Sequence, residues 1–248
     1  MLDWKEGFSN TINSYIFDCI LPSTKEVVKF KAIDTQTLKK LLVYEKSNNI
    51  IMLEKMLDEL ILSSVIDKID IENMLYYDRL FLLISIRAKS KGESITQQYD
   101  CPVCSGQSMQ KMSFEDMPFI EYTKPIEKTI EVVPGIILEL KHITRKDQQI
   151  AYSKIFNDKD ILDDDKEMYA SFYMIASAIC GYNNGKDKVQ IENLDDKLFI
   201  FEKLPSTALD KIKDWLEQNK FGLEFEFTKK CPHCGHTEKQ KVEASGVF

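Results

Sequence analysis

Four of the six cysteines fall in two short motifs, Cys101-Pro102-Val103-Cys104 and Cys231-Pro232-His233-Cys234. Two residues between cysteines let both sulfurs face one centre while the amides of the turn point at the thiolates. Gly106 and Gly235 follow closely, and both are expected to supply a left-handed residue that turns the chain back. Four thiolates close a tetrahedral shell. That donor set fits one structural zinc ion rather than a catalytic one, which keeps a position open for water or substrate. The same four sulfurs also suit iron, and spacing does not separate the two metals.

Other readings of the motifs are weaker. A thioredoxin-like redox pair should open a helix after a strand, whereas a strand pattern returns after each motif here. Two ordinary surface turns that happen to carry cysteine are the bland alternative. His233 or His236 could replace a thiol, but four thiols suffice, so both are expected to face solvent or to support the ligands. Cys19 and Cys180 lie in apolar segments and are expected to be buried small hydrophobes.

No catalytic constellation accompanies the cysteines. The sequence holds no His-Glu-x-x-His, no Gly-x-x-x-x-Gly-Lys and no Gly-x-Ser-x-Gly. His142, the one histidine away from the second motif, reads as structural. Asp163-Asp164 and Asp195-Asp196 read as loop and helix-start acids. The expectation is a protein that is not an enzyme.

The segments that must position the motifs follow from periodicity. Residues 15–21 and 26–33 read as a hairpin about Pro22-Ser23-Thr24-Lys25. Helices are expected from Thr35 as cap to 46, from Ser47-Asn48-Asn49 through Val65, and from Asp70 or Asn73 to Gly92. Residues 94–100 and 107–114 flank the first motif as strands. Residues 128–133 and 136–140 flank Pro134-Gly135 as a second hairpin. Helices are expected over 144–157, 165–181, 195–203 and 206–219, with a loop at 181–185. Residues 223–227 and 238–244 flank the second motif. This duplicated strand–knuckle–strand unit is the only internal repeat expected.

The fold class is therefore α+β: a helical subdomain with antiparallel β-hairpins and a discontinuous zinc ribbon. The expected division is residues 1–93, an N-terminal hairpin and helical region; 94–118 with 221–248, the ribbon hairpins; and 119–220, an α+β insertion. A gap of 126 residues separates Cys104 from Cys231, so one shared ion would tie the middle of the chain to its end.

The 248 residues carry a formal net charge of −7, with no run of five basic residues, which disfavours free nucleic acid as a partner. No apolar run is long enough to span a bilayer, and the first residues lack a secretory pattern. A cytoplasmic setting keeps thiols reduced, which favours metal over disulfides.

One stretch resembles a known family. Tyr77-Asp78-Arg79-Leu80-Phe81-Leu82-Leu83, then Ile86-Arg87-Ala88-Lys89-Ser90-Lys91-Gly92-Glu93, then Cys101-Pro102-Val103-Cys104, is similar to the baseplate hub assembly family of T-even-like tailed phages, as is Leu21-Pro22-Ser23. The likeness extends over roughly residues 14–248. It implies a baseplate hub subunit or an assembly chaperone that acts through other hub and tail proteins. The location implied is the host cytoplasm during assembly, with the virion baseplate as the second place. No catalytic residues come with the resemblance; the knuckle cysteines do. The terminal Val247 and Phe248 could insert into a partner's groove. The alternative function is a zinc-ribbon nucleic-acid or transcription-type module, for which Lys229-Lys230, Lys239 and Lys241 are the only local basic hint. A third is an unrecognised metalloenzyme, which would need an acid beside an open metal.

Overall fold

The computed structural model describes residues 4–13, 15–45, 50–125 and 127–241. The expected helix start at 47–49 and the terminal pair Val247 and Phe248 lie outside these residues, as does the end of the last expected strand.

The chain is α+β with antiparallel strand pairing throughout. It opens with a helix that the sequence pattern did not announce, α1 (Trp4–Asn13). The first hairpin follows as β1 (Phe17–Ile20) and β2 (Val27–Phe30), paired Phe17 to Phe30 through Ile20 to Val27. Helices α2 (Thr35–Glu45), α3 (Ile50–Ser64) and α4 (Tyr76–Lys91) come next. Asp34, not Thr35, caps α2: its Oδ1 accepts the Thr37 amide at 2.7 Å.

Helix α4 starts later than Asp70 or Asn73. Asp70 instead closes a turn by accepting from Asn73 Nδ2 at 2.7 Å. At the start of α4 no side chain caps Leu75; the Tyr76 amide donates to Ile143 O at 2.9 Å, and Leu75 bridges Thr144. At the other end Gly92, φ 101°, sends its amide to Ala88 O. The inner face of the first hairpin (Cys19, Leu21, Val28, Phe30) forms a core with Leu57, Leu60 and Ile61 of α3 and Leu82, Leu83 and Ile86 of α4.

Beyond α4 lie β3 (Ser94–Asp100) and β4 (Gln107–Ser113), then β5 (Phe119–Ile120). A four-stranded sheet comprises β6 (Thr129–Val133), β7 (Ile136–Leu140), β8 (Ile179–Asn183) and β9 (Lys188–Gln190), in that order. Helices α5 (Arg145–Asn157), α6 (Lys166–Ser177), α7 (Leu194–Lys203) and α8 (Ser206–Gln218) complete this region. Its core joins Val132, Leu138 and Ile179 to Ala208, Ile212 and Trp215 of α8.

The expected helix over 165–181 is too long, and the loop at 181–185 is partly strand. Ala178 ends the helix, its carbonyl accepting from Lys141 at 2.8 Å, and Ile179–Asn183 then pairs with β7. Apolar residues at helical spacing run into this segment, so periodicity alone carries the helix too far. Pairing with β7 decides it. Gly181 fits because a Cβ there would stand 3.0 Å from the Glu139 Cβ.

The last elements among the described residues are β10 (Gly222–Leu223), which pairs with β5, then β11 (Glu226–Lys230) and β12 (Thr237–Lys241).

Candidate metal centre

Each cysteine motif is the tip of a hairpin. Strands β3 and β4 are in register from Ser94 opposite Ser113 to Asp100 opposite Gln107. Strands β11 and β12 run from Glu226 opposite Lys241 to Lys230 opposite Thr237. At the first tip Cys101 N donates to Gly106 O at 3.0 Å and Ser105 N donates to Cys101 O at 2.9 Å. At the second, Cys231 N donates to His236 O at 2.8 Å and Gly235 N to Cys231 O at 3.0 Å. The two tips meet. Cys101 Sγ lies 3.7 Å from Cys234 Sγ, Cys104 Sγ lies 3.6 Å from Cys231 Sγ, and all four sulfurs fall within 4.8 Å of one another.

These separations exclude sulfur–sulfur bonds, and all four thiols are free. They match the edge of a tetrahedron of sulfurs about 2.3 Å from a central ion, which is about 3.8 Å. Cys101 and Cys231 are buried against Tyr99, while Cys104 and Cys234 are exposed. Burial opposes ionisation of Cys101, but the amides of Cys104 and Val103 and the thiols of Cys231 and Cys234 donate to it and hold it down at about 6. Cys234 accepts the His236 amide, yet burial and its neighbouring sulfurs push it up to about 12. Four sulfurs this close cannot all carry charge without a cation between them. The donor set thus fits a bound metal ion.

Other contacts hold the arms together. Ile95, Met112, Phe114 and Met117 pack with Phe227 in one cluster. Gln110 Nε2 donates to Lys230 O at 2.8 Å. Lys229, part of the local basic hint, is fully buried; its Nζ donates to Gln97 Oε1 at 3.2 Å and sits 5.5 Å from the Tyr99 ring centre. Lys239 pairs with Glu226 at 2.6 Å. Two of the four lysines that hinted at nucleic acid are therefore engaged within the chain.

The two glycines serve different ends. Gly235 takes the left-handed conformation expected of it, φ 75°, but on the first tip Ser105 does so, φ 54°, and Gly106 does not. Gly106 is small for another reason. A Cβ there would lie 2.5 Å from His233 Cδ2 and 3.2 Å from Cys104 Sγ. The His233 ring crosses from the other tip, its Nε2 3.2 Å from Gln107 O. His233 is thus an inter-tip contact, and His236 lies 3.7 Å from Glu238.

The motif residues of α4 are fasteners. Ser23 donates its amide (2.9 Å) and its hydroxyl to the Asp78 carboxylate. Arg87 donates Nη1 to Gly92 O and lies 5.0 Å from the Phe114 ring centre, tying α4 to the first cysteine arm. Ser90 Oγ accepts from Ile33 N at 2.9 Å.

Sequence reasoning missed a buried ionic cluster. Asp58 on α3 accepts from Arg79 Nε at 2.8 Å and from Arg145 Nε and Nη2 at 2.9 and 2.7 Å. Glu54 lies 3.0 Å from Arg79 and 3.3 Å from Arg145. Two arginines and two acids balance, and α3, α4 and α5 are locked together. The available signal was Asp58 inside the apolar run Met56-Leu57-Asp58-Glu59-Leu60-Ile61.

The remaining candidates are structural in place. His142 packs among Tyr122, Trp215 and Phe221, and burial lowers its pKa. Cys19 is buried, which pushes its thiol up to about 11. Cys180 is only half-buried, donating to Glu139 O at 3.4 Å. Asp196 shares a reciprocal cap with Asn193 at the start of α7, and Asp195 pairs with Lys154 at 2.6 Å.

The fold and site thus define an α+β protein whose two distant hairpin arms bring four thiols to one point that could hold a metal ion. The family model described as T4 bacteriophage base plate protein matches residues 12–247, and the chain belongs to that family. That membership supports a structural role in the phage base plate, within a family that is generally non-enzymatic. Comparison with curated proteins and with solved structures returned no match. Among the described residues no helix is long and apolar enough to cross a membrane.

Proposed function

We propose that the protein is a baseplate hub component, as a subunit or as a chaperone of hub assembly, acting through contacts with other hub and tail proteins. One structural zinc bound by Cys101, Cys104, Cys231 and Cys234 stabilises it, in a discontinuous ribbon built from the two knuckled hairpins. The observation that carries the metal reading is the four-sulfur cluster, with cross-tip separations of 3.6 and 3.7 Å. All four positions are sulfur, so the shell closes without water and the ion's task is to hold the arms. The pairing of β5 with β10 supports reading residues 119–220 as an insertion between the two arms, since the chain leaves and returns there side by side. Family membership supports base-plate proteins as partners.

The test is co-expression of the full chain with the other tail and base-plate proteins of its phage, followed by purification of complexes and elemental analysis. The expected result is a stable complex with a hub component and one zinc per chain. Failure to associate with every hub component would overturn the hub role. Iron in place of zinc, or no metal, would overturn the zinc assignment.

A further inference from the structure

The turn at the tip of the first hairpin has the backbone of the two cysteine knuckles. Strand β1 ends one residue before Leu21 and β2 starts one residue after Glu26, just as strands flank 101–106 and 231–236. The first residue donates its amide to the sixth: Leu21 N to Glu26 O at 2.9 Å, against 3.0 Å for Cys101 and 2.8 Å for Cys231. The fifth donates to the first: Lys25 N to Leu21 O at 3.0 Å, against 2.9 and 3.0 Å. That fifth residue is left-handed in all three: Lys25 φ 61°, Ser105 φ 54°, Gly235 φ 75°. Proline stands second each time. The first residue is buried in all three, as is the residue two before it: Cys19, Tyr99 and Lys229.

The side chains show how the first copy does without sulfur. The fourth residue accepts the amide of the sixth in every copy, through Thr24 Oγ1 from Glu26 (3.2 Å), Cys104 from Gly106 and Cys234 from His236. A hydroxyl replaces the thiol there. The other difference lies at the third residue. In the 101–106 turn the Val103 amide donates to Cys101 sulfur. Leu21 offers no acceptor, and the matching Ser23 amide donates to Asp78 Oδ1 of α4 at 2.9 Å instead, with the Ser23 hydroxyl on Oδ2. Amides converging in such a turn favour an anion.

We infer that residues 21–26 are a third knuckle of the same design, in which the Asp78 carboxylate supplies the anion that the thiolates supply at the other two. The first hairpin is therefore fastened to α4 without metal. The knuckled hairpins are thus fastened in two ways: by a carboxylate clamp at the start of α4, and by the sulfur cluster that joins the arms beyond its end. The contrast between them rests on the zinc reading; the Asp78 clamp does not.

The test is residue-resolved hydrogen exchange on the full chain. Asp78→Asn keeps one acceptor but removes the charge, and Asp78→Ala removes both acceptors. Each should speed exchange of the Ser23 amide roughly ten- to a hundred-fold while leaving metal content and the Ser105 and Gly235 amides unchanged. Ser23→Ala should act in the same direction and less. EDTA under reducing conditions should do the reverse, opening the 101–106 and 231–236 turns and sparing 21–26. Unchanged Ser23 protection in Asp78→Asn and Asp78→Ala would overturn the inference, as would EDTA opening all three turns alike. If EDTA alters none of them, the zinc reading fails, and the Asp78 variants still decide the clamp.

Discussion

Replacing Cys104 by serine tests the role of the sulfur cluster most directly. The side chain is exposed and the change is nearly isosteric, so the substitution alone should cost no more than a few tenths of a kcal/mol. Its effect comes through the ion. A metal joining Cys104 to Cys231 closes a loop of 126 residues, and closing a loop of that length removes about 4–5 kcal/mol of chain entropy from the unfolded state. The cluster of Ile95, Met112, Phe114, Met117 and Phe227 still joins the arms without metal, so the fold should survive, weakened. Against a total stability of about 5–15 kcal/mol, the loss lowers the melting temperature by roughly 10–20 °C. The assay is calorimetric melting with metal analysis of the same sample, under reducing conditions. Cys180→Ser serves as the control, since Cys180 lies on β8 outside the sulfur cluster, its thiol 3.4 Å from Glu139 O. A Cys104→Ser protein that keeps a full equivalent of metal and melts with the wild type would refute the reasoning.

Asp58→Ala leaves Glu54 alone against the two buried arginines, Arg79 and Arg145, so one buried positive charge goes uncompensated; the change should cost about 3–5 kcal/mol in urea titration, and a loss under 1 kcal/mol would mean that solvent reaches the cluster. Gly106→Ala forces the His233 ring away from the first tip, so metal should leave faster in a chelator competition while melting of the rest is little changed. His142 has a native pKa held below 6.5 by burial, so the unfolded chain takes up the proton first. Stability is full above 6.5 and is lost as pH falls through the native value; His142→Phe should flatten that part of the profile, and an unchanged slope would refute the assignment.

The site was legible because its chemistry is local. Two residues between cysteines, with a proline between, fix the shape of each turn, and strand patterns on both sides fix each hairpin. The body and end of helix α4 were legible for a similar reason, since residues 80–86 are almost wholly apolar and Gly92 stands just past the last turn. Helix α6 was misread because periodicity cannot tell a helix end from the start of a buried strand; that boundary is set by the backbone of β7. The third knuckle was invisible because its ligand positions are leucine and threonine, and its acceptor, Asp78, lies 55 residues from Ser23.

By itself the sequence determined the α+β class, the two knuckles and the four sulfurs on offer, because each depends on neighbours a few residues apart. Only the tertiary structure decided that the sulfurs converge, that Lys229 is buried, that Gly106 makes room for His233 and that Asp58 joins two arginines. Those facts depend on which surfaces meet across 21 to 133 residues of chain, a distance over which pattern carries no register.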